Sequence, residues 1–476
     1  MKLCTLFFLF ALCPLLFAAS QKPNVVVILC DNLGNGDIAC FNPQTKHRTP
    51  NLDRMAAEGM RFSSFYSASG VCTPSRAALM TGSYPRRVGL HISAIGGAVL
   101  QPVASRGINP VEETMAELLK QSGYATACFG KWHLGDQPEF LPTRNGFDHF
   151  LGIPYSEDMV HDQFPGRKWP PLPLLRDETV IEAPVPAETL TKRLTEAAVK
   201  FITGHREQPF FLYFPEAGPG SRAECYPGVD FRGKSANGLY GDAIEELDWS
   251  AGEIMKALKD NRIDDNTLVI WTNDNGAVNR NPPQGSNAPY KGMGYSTSEG
   301  GQRMPCIARW PGQVPAGTTC TQLCTMMDLL PTITAITGAR PPQKTIDGHD
   351  IRPLLFGEKN ARSPYDGTGF YYYSVKQLQA VREGDWKLYL PLENKGGIGK
   401  ATKKATPQKL ALYNVQADLA EQNESSAAHP EIVQRLQKFA QTARQTLGDD
   451  ETHGSGQRDA GHVGNPTPRV IAPKAE

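Results

Sequence analysis

Pro23-Asn24-Val25-Val26-Val27-Ile28-Leu29 runs straight into Cys30-Asp31-Asn32-Leu33-Gly34-Asn35-Gly36-Asp37. The first half is an unbroken β-branched and aliphatic run, the composition of a strand covered on both faces. The second half is polar and carries two glycines, so the strand ends in a loop. Phe210-Phe211-Leu212-Tyr213-Phe214 and Thr267-Leu268-Val269-Ile270-Trp271 are two more buried strands of this kind. Met60-Arg61-Phe62-Ser63-Ser64-Phe65-Tyr66 alternates as a strand, and residues 124–129 form another. Between them lie helical stretches: one opening at 49–55 with Thr49 or Asn51 as cap, then 112–121 and 243–258. Apolar strands alternating with helices predict an α/β domain with a mainly parallel central sheet flanked by helices.

The pattern changes after Asp347-Gly348-His349. Residues 369–374 and 378–390 read as antiparallel strands. Residues 430–447 read as a helix with an apolar stripe at Ile432, Leu436 and Phe439. The expected organisation is a large domain over 21–356 and a small α+β domain over 357–448. A polar, Gly/Pro-rich tail over 449–476 is expected to be disordered.

The 476 residues carry 49 Lys+Arg against 49 Asp+Glu, so there is no basic excess of the kind a nucleic-acid binder uses. The 40% hydrophobic content is that of a globular chain. Met1-Lys2-Leu3, an apolar run over 6–17 and Ala18-Ala19-Ser20 have the order of a secretory signal peptide cleaved after Ser20. A buried N-terminal helix is the other reading. The signal implies export, to a periplasm or the exterior. No later run is long and apolar enough for stable membrane insertion. Of the ten cysteines, Cys4 and Cys13 fall within the signal. Cys320 and Cys324 have a spacing that suits adjacent helical turns.

Two strand ends carry similar acid-amide pairs, Asp31-Asn32 and Asp274-Asn275-Gly276. Ligands of open α/β sheets gather at the carboxyl ends of strands. Two carboxylates and two amide oxygens would make a hard oxygen site that suits Ca²⁺ and fits Zn²⁺ poorly. Plain turn chemistry is the alternative, since Asp, Asn and Gly all favour turns. Cys72-Thr73-Pro74-Ser75-Arg76 precedes the helix-forming run Ala77-Ala78-Leu79-Met80 and then Thr81-Gly82. Proline is tolerated in a first helical turn, so Cys72 lies at or just before a helix N-terminus, where free backbone N–H groups favour an anion.

Cys72 to Gly82 resembles the signature of the sulfatase family. Asp31 to Asp37 resembles its opening metal loop, and Thr49-Pro50-Asn51-Leu52-Asp53 the helix start that follows. Gly130-Lys131-Trp132-His133-Leu134-Gly135 is similar to its second signature. Asp274-Asn275-Gly276, Lys291-Gly292 and Glu299-Gly300-Gly301 are similar to its late active-site segments. Arg309-Trp310-Pro311-Gly312, Asp328-Leu329-Leu330-Pro331-Thr332 and Leu412-Tyr413-Asn414-Val415 extend the likeness over nearly all of the chain after Ser20. Gly152-Ile153-Pro154-Tyr155-Ser156 most resembles the arylsulfatase A and N-acetylgalactosamine-6-sulfatase branch.

The resemblance implies an alkaline-phosphatase-like large domain and hydrolysis of a sulfate ester of a sugar or phenol, a sulfated saccharide above all. It implies that a maturation enzyme oxidises Cys72 to formylglycine, whose hydrate carries two hydroxyls. One attacks sulfur; the other is then deprotonated, and collapse to the aldehyde expels sulfate. One Ca²⁺ would be held by Asp31, Asn32, Asp274, Asn275 and the modified Cys72. Arg76 would hold the oxyanion, Lys131 and Lys291 the sulfate, and Ser156 would hydrogen-bond the site. Lys291 would also assist the leaving oxygen, and His133 would be the base for the collapse step.

The chain departs from the family in places. Asn32 stands where a second loop carboxylate is common, and Ser83 where an arginine often follows Thr-Gly. In Pro219-Gly220-Ser221-Arg222, Gly220 occupies the place of a histidine that binds sulfate and protonates the leaving group. Losing a general acid costs on the order of 10²–10⁴ in rate for poor leaving groups. Arg222 and His161 are the groups at hand to replace it. The Lys-rich stretch 395–409 reads as a solvated hairpin loop able to attract a sulfated polysaccharide. Two rivals follow: a phosphate or phosphonate monoester hydrolase of the same fold, and a sulfated-glycan-binding protein with little turnover.

Overall fold

The computed structural model describes residues 22–396 and 406–472. The expected signal segment lies outside them, as do Lys400, Lys403 and Lys404. The opening run forms the strand Asn24–Asp31, buried along its whole length. It sits near the middle of an 11-stranded sheet. On one side it pairs in parallel with Phe210–Pro219, Val25 opposite Phe211. On the other it pairs in parallel with Thr267–Asn273, Val25 opposite Leu268. Ala125–Lys131 and His149–Ile153 extend the parallel block beyond Phe210–Pro219.

The edges break the pattern. Arg303–Arg309 runs antiparallel to both of its neighbours, and Leu174–Arg176 with Thr179–Glu182 forms an antiparallel meander at the far edge. Alternation along the first strand divides the core. Val25, Val27 and Leu29 face one apolar cluster; Val26, Ile28 and Cys30 face the other. That period of two is the geometric signature of a strand covered on both sides.

Residues 112–121 shorten to the helix Met115–Gln121, because Thr114 caps it: its hydroxyl accepts from Glu117 N–H, and Glu117 reaches back to Thr114 N–H. The long helix Gly238–Asp260 covers the expected 243–258 stretch. Cys320 and Cys324 lie on no helix. They sit on two short strands, opposite Phe62 and Phe65 of Met60–Tyr66, so extended backbone replaces the helical turn that their spacing allowed. All eight cysteines among the described residues are unpaired.

The small antiparallel sheet orders Phe370–Ser374, Gln377–Glu383, Trp386–Tyr389 and Ala411–Asn414. Helix Pro430–Leu447 covers it, burying Ile432, Leu436, Ala440, Ala443 and Leu447. Strands Leu392–Lys395 and Thr406–Gln408 pair antiparallel and form the stem of the expected Lys-rich hairpin. Glu299 sits where the small sheet meets the large domain. It accepts from Lys387 Nζ at 2.9 Å and from the Tyr372 hydroxyl at 3.0 Å, and the Tyr66 hydroxyl also donates to it.

The tail corrects an expectation. Far from being disordered, residues 449–472 pack back across the large domain. Gly461–His462 pairs with Arg106–Gly107, and Arg458 Nε lies 2.7 Å from Glu112 Oε1. Its glycines are what allow this: a Cβ on Gly461 would meet Phe140 at 2.6 Å. Composition registers polarity and glycine, not a backbone pairing with a loop some 350 residues away.

Candidate active site

The register of the central strands sets the site. Asp31 ends its strand opposite Pro219. Asp274 N–H donates to the Cys30 carbonyl at 3.1 Å, so the two acidic strand ends lie side by side. Asn32 N–H donates to Asp274 Oδ1 at 3.2 Å. Asn32 Nδ2 donates to Asp31 Oδ1 at 2.8 Å, and Asn275 Nδ2 donates to Asn32 Oδ1 at 2.6 Å. All four side chains are buried. Asn275 Oδ1 has no hydrogen-bond partner.

Cys72 opens the helix Cys72–Thr81, every residue of which is buried. Its Sγ lies with carboxylate oxygens of Asp31 and Asp274 in a group whose members are all within 4.8 Å of one another. Arg76, one turn on, donates from Nη2 to Asp31 Oδ2 at 2.7 Å and to Asp274 Oδ2 at 2.9 Å. Lys131, at the end of its strand, donates from Nζ to Asp31 Oδ2 at 2.6 Å and to Ser156 Oγ at 2.9 Å, and lies 3.6 Å from Cys72 Sγ. These distances bring together Cys72, Arg76, Lys131, Ser156, Asp31, Asn32, Asp274 and Asn275.

Burial would raise the Asp31 carboxyl, but Lys131 and Arg76 outweigh it and hold it at about 2. Burial first, then the charge of Asp31, push Asp274 up to about 7. The Cys72 thiol is raised by burial and then by the two aspartates. A thiol so placed is a poor thiolate nucleophile. Aspartate and asparagine oxygens around a partnerless amide oxygen fit a hard divalent cation.

His133 is buried at φ +60° and lines the cavity of about 570 Å³ that also holds Cys72, Ser156, Asp158, Ser221 and Tyr295. Burial, then Lys131, keep it far less basic than an ordinary histidine. Its Nε2 lies 2.9 Å from the Leu100 carbonyl, which can only accept. Nε2 therefore carries the hydrogen of the neutral ring. Nδ1 keeps its lone pair, and it is buried without a partner.

A sulfatase-family model matches residues 23–339, and a model for the N-sulphoglucosamine sulphohydrolase C-terminal region matches 293–438. The chain belongs to the sulfatase family. It is 36% identical over 461 residues to the N-acetylgalactosamine-6-sulfatase of Canis lupus familiaris, covering 90% of this chain and 86% of that one. It is 39% identical over 394 residues to the arylsulfatase A of Homo sapiens, covering 78% of this chain and 75% of that one. Among solved structures, the PsFucS1 sulfatase from Pseudoalteromonas sp. superposes with TM-score 0.78 at 28% identity, covering 89% of this chain and 90% of that one. The fold is accordingly alkaline-phosphatase-like, and the enzyme is an arylsulfatase-like sulfuric ester hydrolase.

Lys291 does not join the cluster around Cys72 in this sulfatase. Its Nζ donates to the Glu421 carbonyl at 3.3 Å and lies 5.4 Å from the Tyr413 ring centre, in a neighbouring cavity that shares Tyr295 and Phe164 with the first. The small domain supplies both partners, and they draw the side chain away from the helix N-terminus. Arg222 and His161 do not fill the histidine's place either. Arg222 is tied to the Glu157 carbonyl at 2.9 and 3.1 Å, and His161 is exposed.

Sequence reasoning passed over Glu157 and Asp158. Glu157 is fully buried, accepts from Ser156 Oγ at 3.0 Å and from Ser221 N–H at 2.5 Å, and lies 3.9 Å from Lys131 Nζ. The available signal was two acidic residues directly after Ser156, at the end of a strand that feeds the site.

Proposed function

We propose that this sulfatase hydrolyses the sulfate ester of a carbohydrate, using formylglycine made from Cys72 by a maturation enzyme and one Ca²⁺, after export from the cell. The observation that carries the reading is the burial of Cys72 Sγ among Asp31, Asp274 and Lys131, at a helix N-terminus that opens on a cavity.

The aldehyde hydrate at position 72 would supply an oxygen nucleophile that can release its own adduct. Ca²⁺ held by Asp31, Asn32, Asp274, Asn275 and the modified Cys72 would supply Lewis-acid charge beside it. The protein's own groups do the rest. Asp31 keeps Lys131 charged against its burial, so its ammonium is ready for an anionic sulfate. Ser156 orients that ammonium, and the free N–H groups of the Cys72 helix favour the same anion. Arg76 braces both aspartates and offers its charge to a developing oxyanion. His133 Nδ1, unpartnered on a ring that lines the same cavity, would serve as a proton acceptor there. Lys291, which lines the adjoining cavity, would meet a more distant part of the substrate.

Peptide mass spectrometry across residue 72, on protein from its native host, tests the reading. The expected mass is that of formylglycine or its hydrate. A peptide carrying only unmodified thiol overturns the catalytic account. Comparing kcat/KM for an aryl sulfate with that for the matching aryl phosphate tests the ester class, and a preference for phosphate overturns it.

A further inference from the structure

The histidine's place is not an empty gap. Gly220 has φ +80°, and a Cβ there would come within 2.3 Å of Glu157 Oε1 and 2.6 Å of the Tyr226 hydroxyl. Glu157 is pinned from several sides: by Ser156, by the Ser221 N–H, and through its carbonyl by Arg222, whose guanidinium also lies 5.5 Å from the Tyr226 ring centre. An acidic segment therefore fills the room that an imidazole would need.

The next residue along that segment lines the catalytic cavity. Asp158 borders it together with Cys72, His133 and Tyr295, and its Oδ1 is a buried oxygen with no hydrogen-bond partner. The groups that face it are Glu157 and Ser156 on its own segment, Lys131 and Asp31 at the strand ends, and Tyr295 across the cavity. Burial first, then the Glu157 carboxylate, push the Asp158 carboxyl up to about 6, against the opposing pull of Lys131. A carboxyl raised in this way, bordering the cavity, is able to donate a proton.

Building on the sulfatase reading, we propose that Asp158 protonates the departing alcohol oxygen, taking the task of the histidine that Gly220 excludes. As the ester S–O bond breaks, its electron pair goes to the alcohol oxygen. That oxygen takes the proton of the Asp158 carboxyl, which is left as carboxylate and regains a proton from solvent water before the next turnover. A poor leaving group such as a sugar alkoxide needs this proton, and a nitrophenolate does not.

The test is a leaving-group series of sulfate esters, from nitrophenyl through phenyl to a sugar sulfate, with wild type, Asp158→Asn and Asp158→Glu. For Asp158→Asn, kcat/KM is expected to fall by about 10²-fold or more on the sugar sulfate and by less than about 3-fold on the nitrophenyl ester. The decline of wild-type kcat/KM on the sugar sulfate above pH 6 should vanish in Asp158→Asn and persist in Asp158→Glu. A loss equal across the series, no loss at all, or an unchanged pH profile overturns the proposal. A wild type active on sulfate esters beside a flat Asp158→Asn response overturns this inference alone. A wild type inactive on every sulfate ester overturns the sulfatase reading beneath it.

Discussion

Asp31 and Lys131 form a fully buried ion pair, 2.6 Å from Nζ to Oδ2, that reaches Cys72 Sγ at 3.6 Å. The two residues end parallel strands, Asn24–Asp31 and Ala125–Lys131, that flank Phe210–Pro219 at the carboxyl end of one sheet. A buried pair of this kind is a poor source of net stability, yet removing one partner strands the other charge.

Lys131→Met therefore tests both catalysis and folding. Urea unfolding at pH 7 should show a loss of about 3–5 kcal/mol, and kcat/KM on an aryl sulfate should fall by about 10²-fold or more. The sign with pH follows from Asp31, held near 2 against its ordinary 3.8. The stabilisation it gains is present above pH 4 and is lost as pH falls through 2. The gap between wild type and variant should accordingly narrow below pH 4. A variant as stable as wild type at pH 7 would refute the pairing.

Glu299 belongs to a segment that resembles the family's active site, but its contacts are architectural. Besides Lys387 and two tyrosines it lies 3.5 Å from Arg303 Nη1 and 3.8 Å from Arg382 Nη1, with every partner buried. Burial would raise its carboxyl, but Lys387, Arg382 and Arg303 hold it at about 2. Glu299→Gln should cost about 3–5 kcal/mol at neutral pH, because Arg303 and Arg382 lose their carboxylate and Lys387 keeps only Glu421, at 3.8 Å. Activity per folded molecule, measured well below the unfolding midpoint, should stay within about 3-fold, since the partners of Glu299 all lie outside the cluster around Cys72. A hundred-fold activity loss in fully folded protein would place Glu299 in the catalytic machinery instead.

Glu216 offers a pH test away from the site. It is buried mid-strand with Oε1 unpartnered and Cys30 Sγ donating to Oε2 at 3.3 Å, and burial pushes its carboxyl up to about 8. A carboxyl raised in the folded state contributes stability that is full below its ordinary 4.5 and is lost as pH rises through 8. Glu216→Gln removes that titration. Its melting temperature should match wild type near pH 5 and exceed it at pH 8 to 9, by an amount on the order of a few kcal/mol in stability. Parallel stability curves for the two proteins from pH 5 to 9 would rule out the titration.

What the sequence made legible follows the strength of each local signal. The strand Asn24–Asp31 and its two neighbours were legible because parallel strands buried on both faces are apolar without interruption. That Cys72, Arg76, Lys131 and Asp274 lie together was legible because their motifs sit directly at strand ends or at a helix start. The position of Lys291 apart from the Cys72 cluster was not legible because its partners, Glu421 and Tyr413, lie more than a hundred residues on. The Gly220 change registered as a loss because a sequence does not reveal that Glu157 already occupies the space. Glu299 shared the fate of Lys291: its hub role depends on Lys387 and Arg382, which only the docked small sheet supplies.

Asn32→Asp isolates the contribution of a bound cation. Asn32 sits at φ +61°, a left-handed conformation that asparagine and aspartate both tolerate, so Asn32→Asp keeps the backbone. Its Nδ2 now donates to Asp31 Oδ1 at 2.8 Å and to Ser221 Oγ at 2.7 Å. A carboxylate there would instead face Asp31 and repel it. In EDTA the variant should be less stable than wild type by about 1–3 kcal/mol, the cost of a buried hydrogen bond replaced by an unpaired acceptor. With Ca²⁺ the added charge becomes a ligand, and titration calorimetry should show binding tighter by about 10-fold. The order of melting temperatures should therefore reverse between EDTA and excess Ca²⁺. Neither readout depends on turnover or on the state of Cys72. If Ca²⁺ shifts the melting temperature of neither protein, the oxygen cluster at the strand ends is not a calcium site.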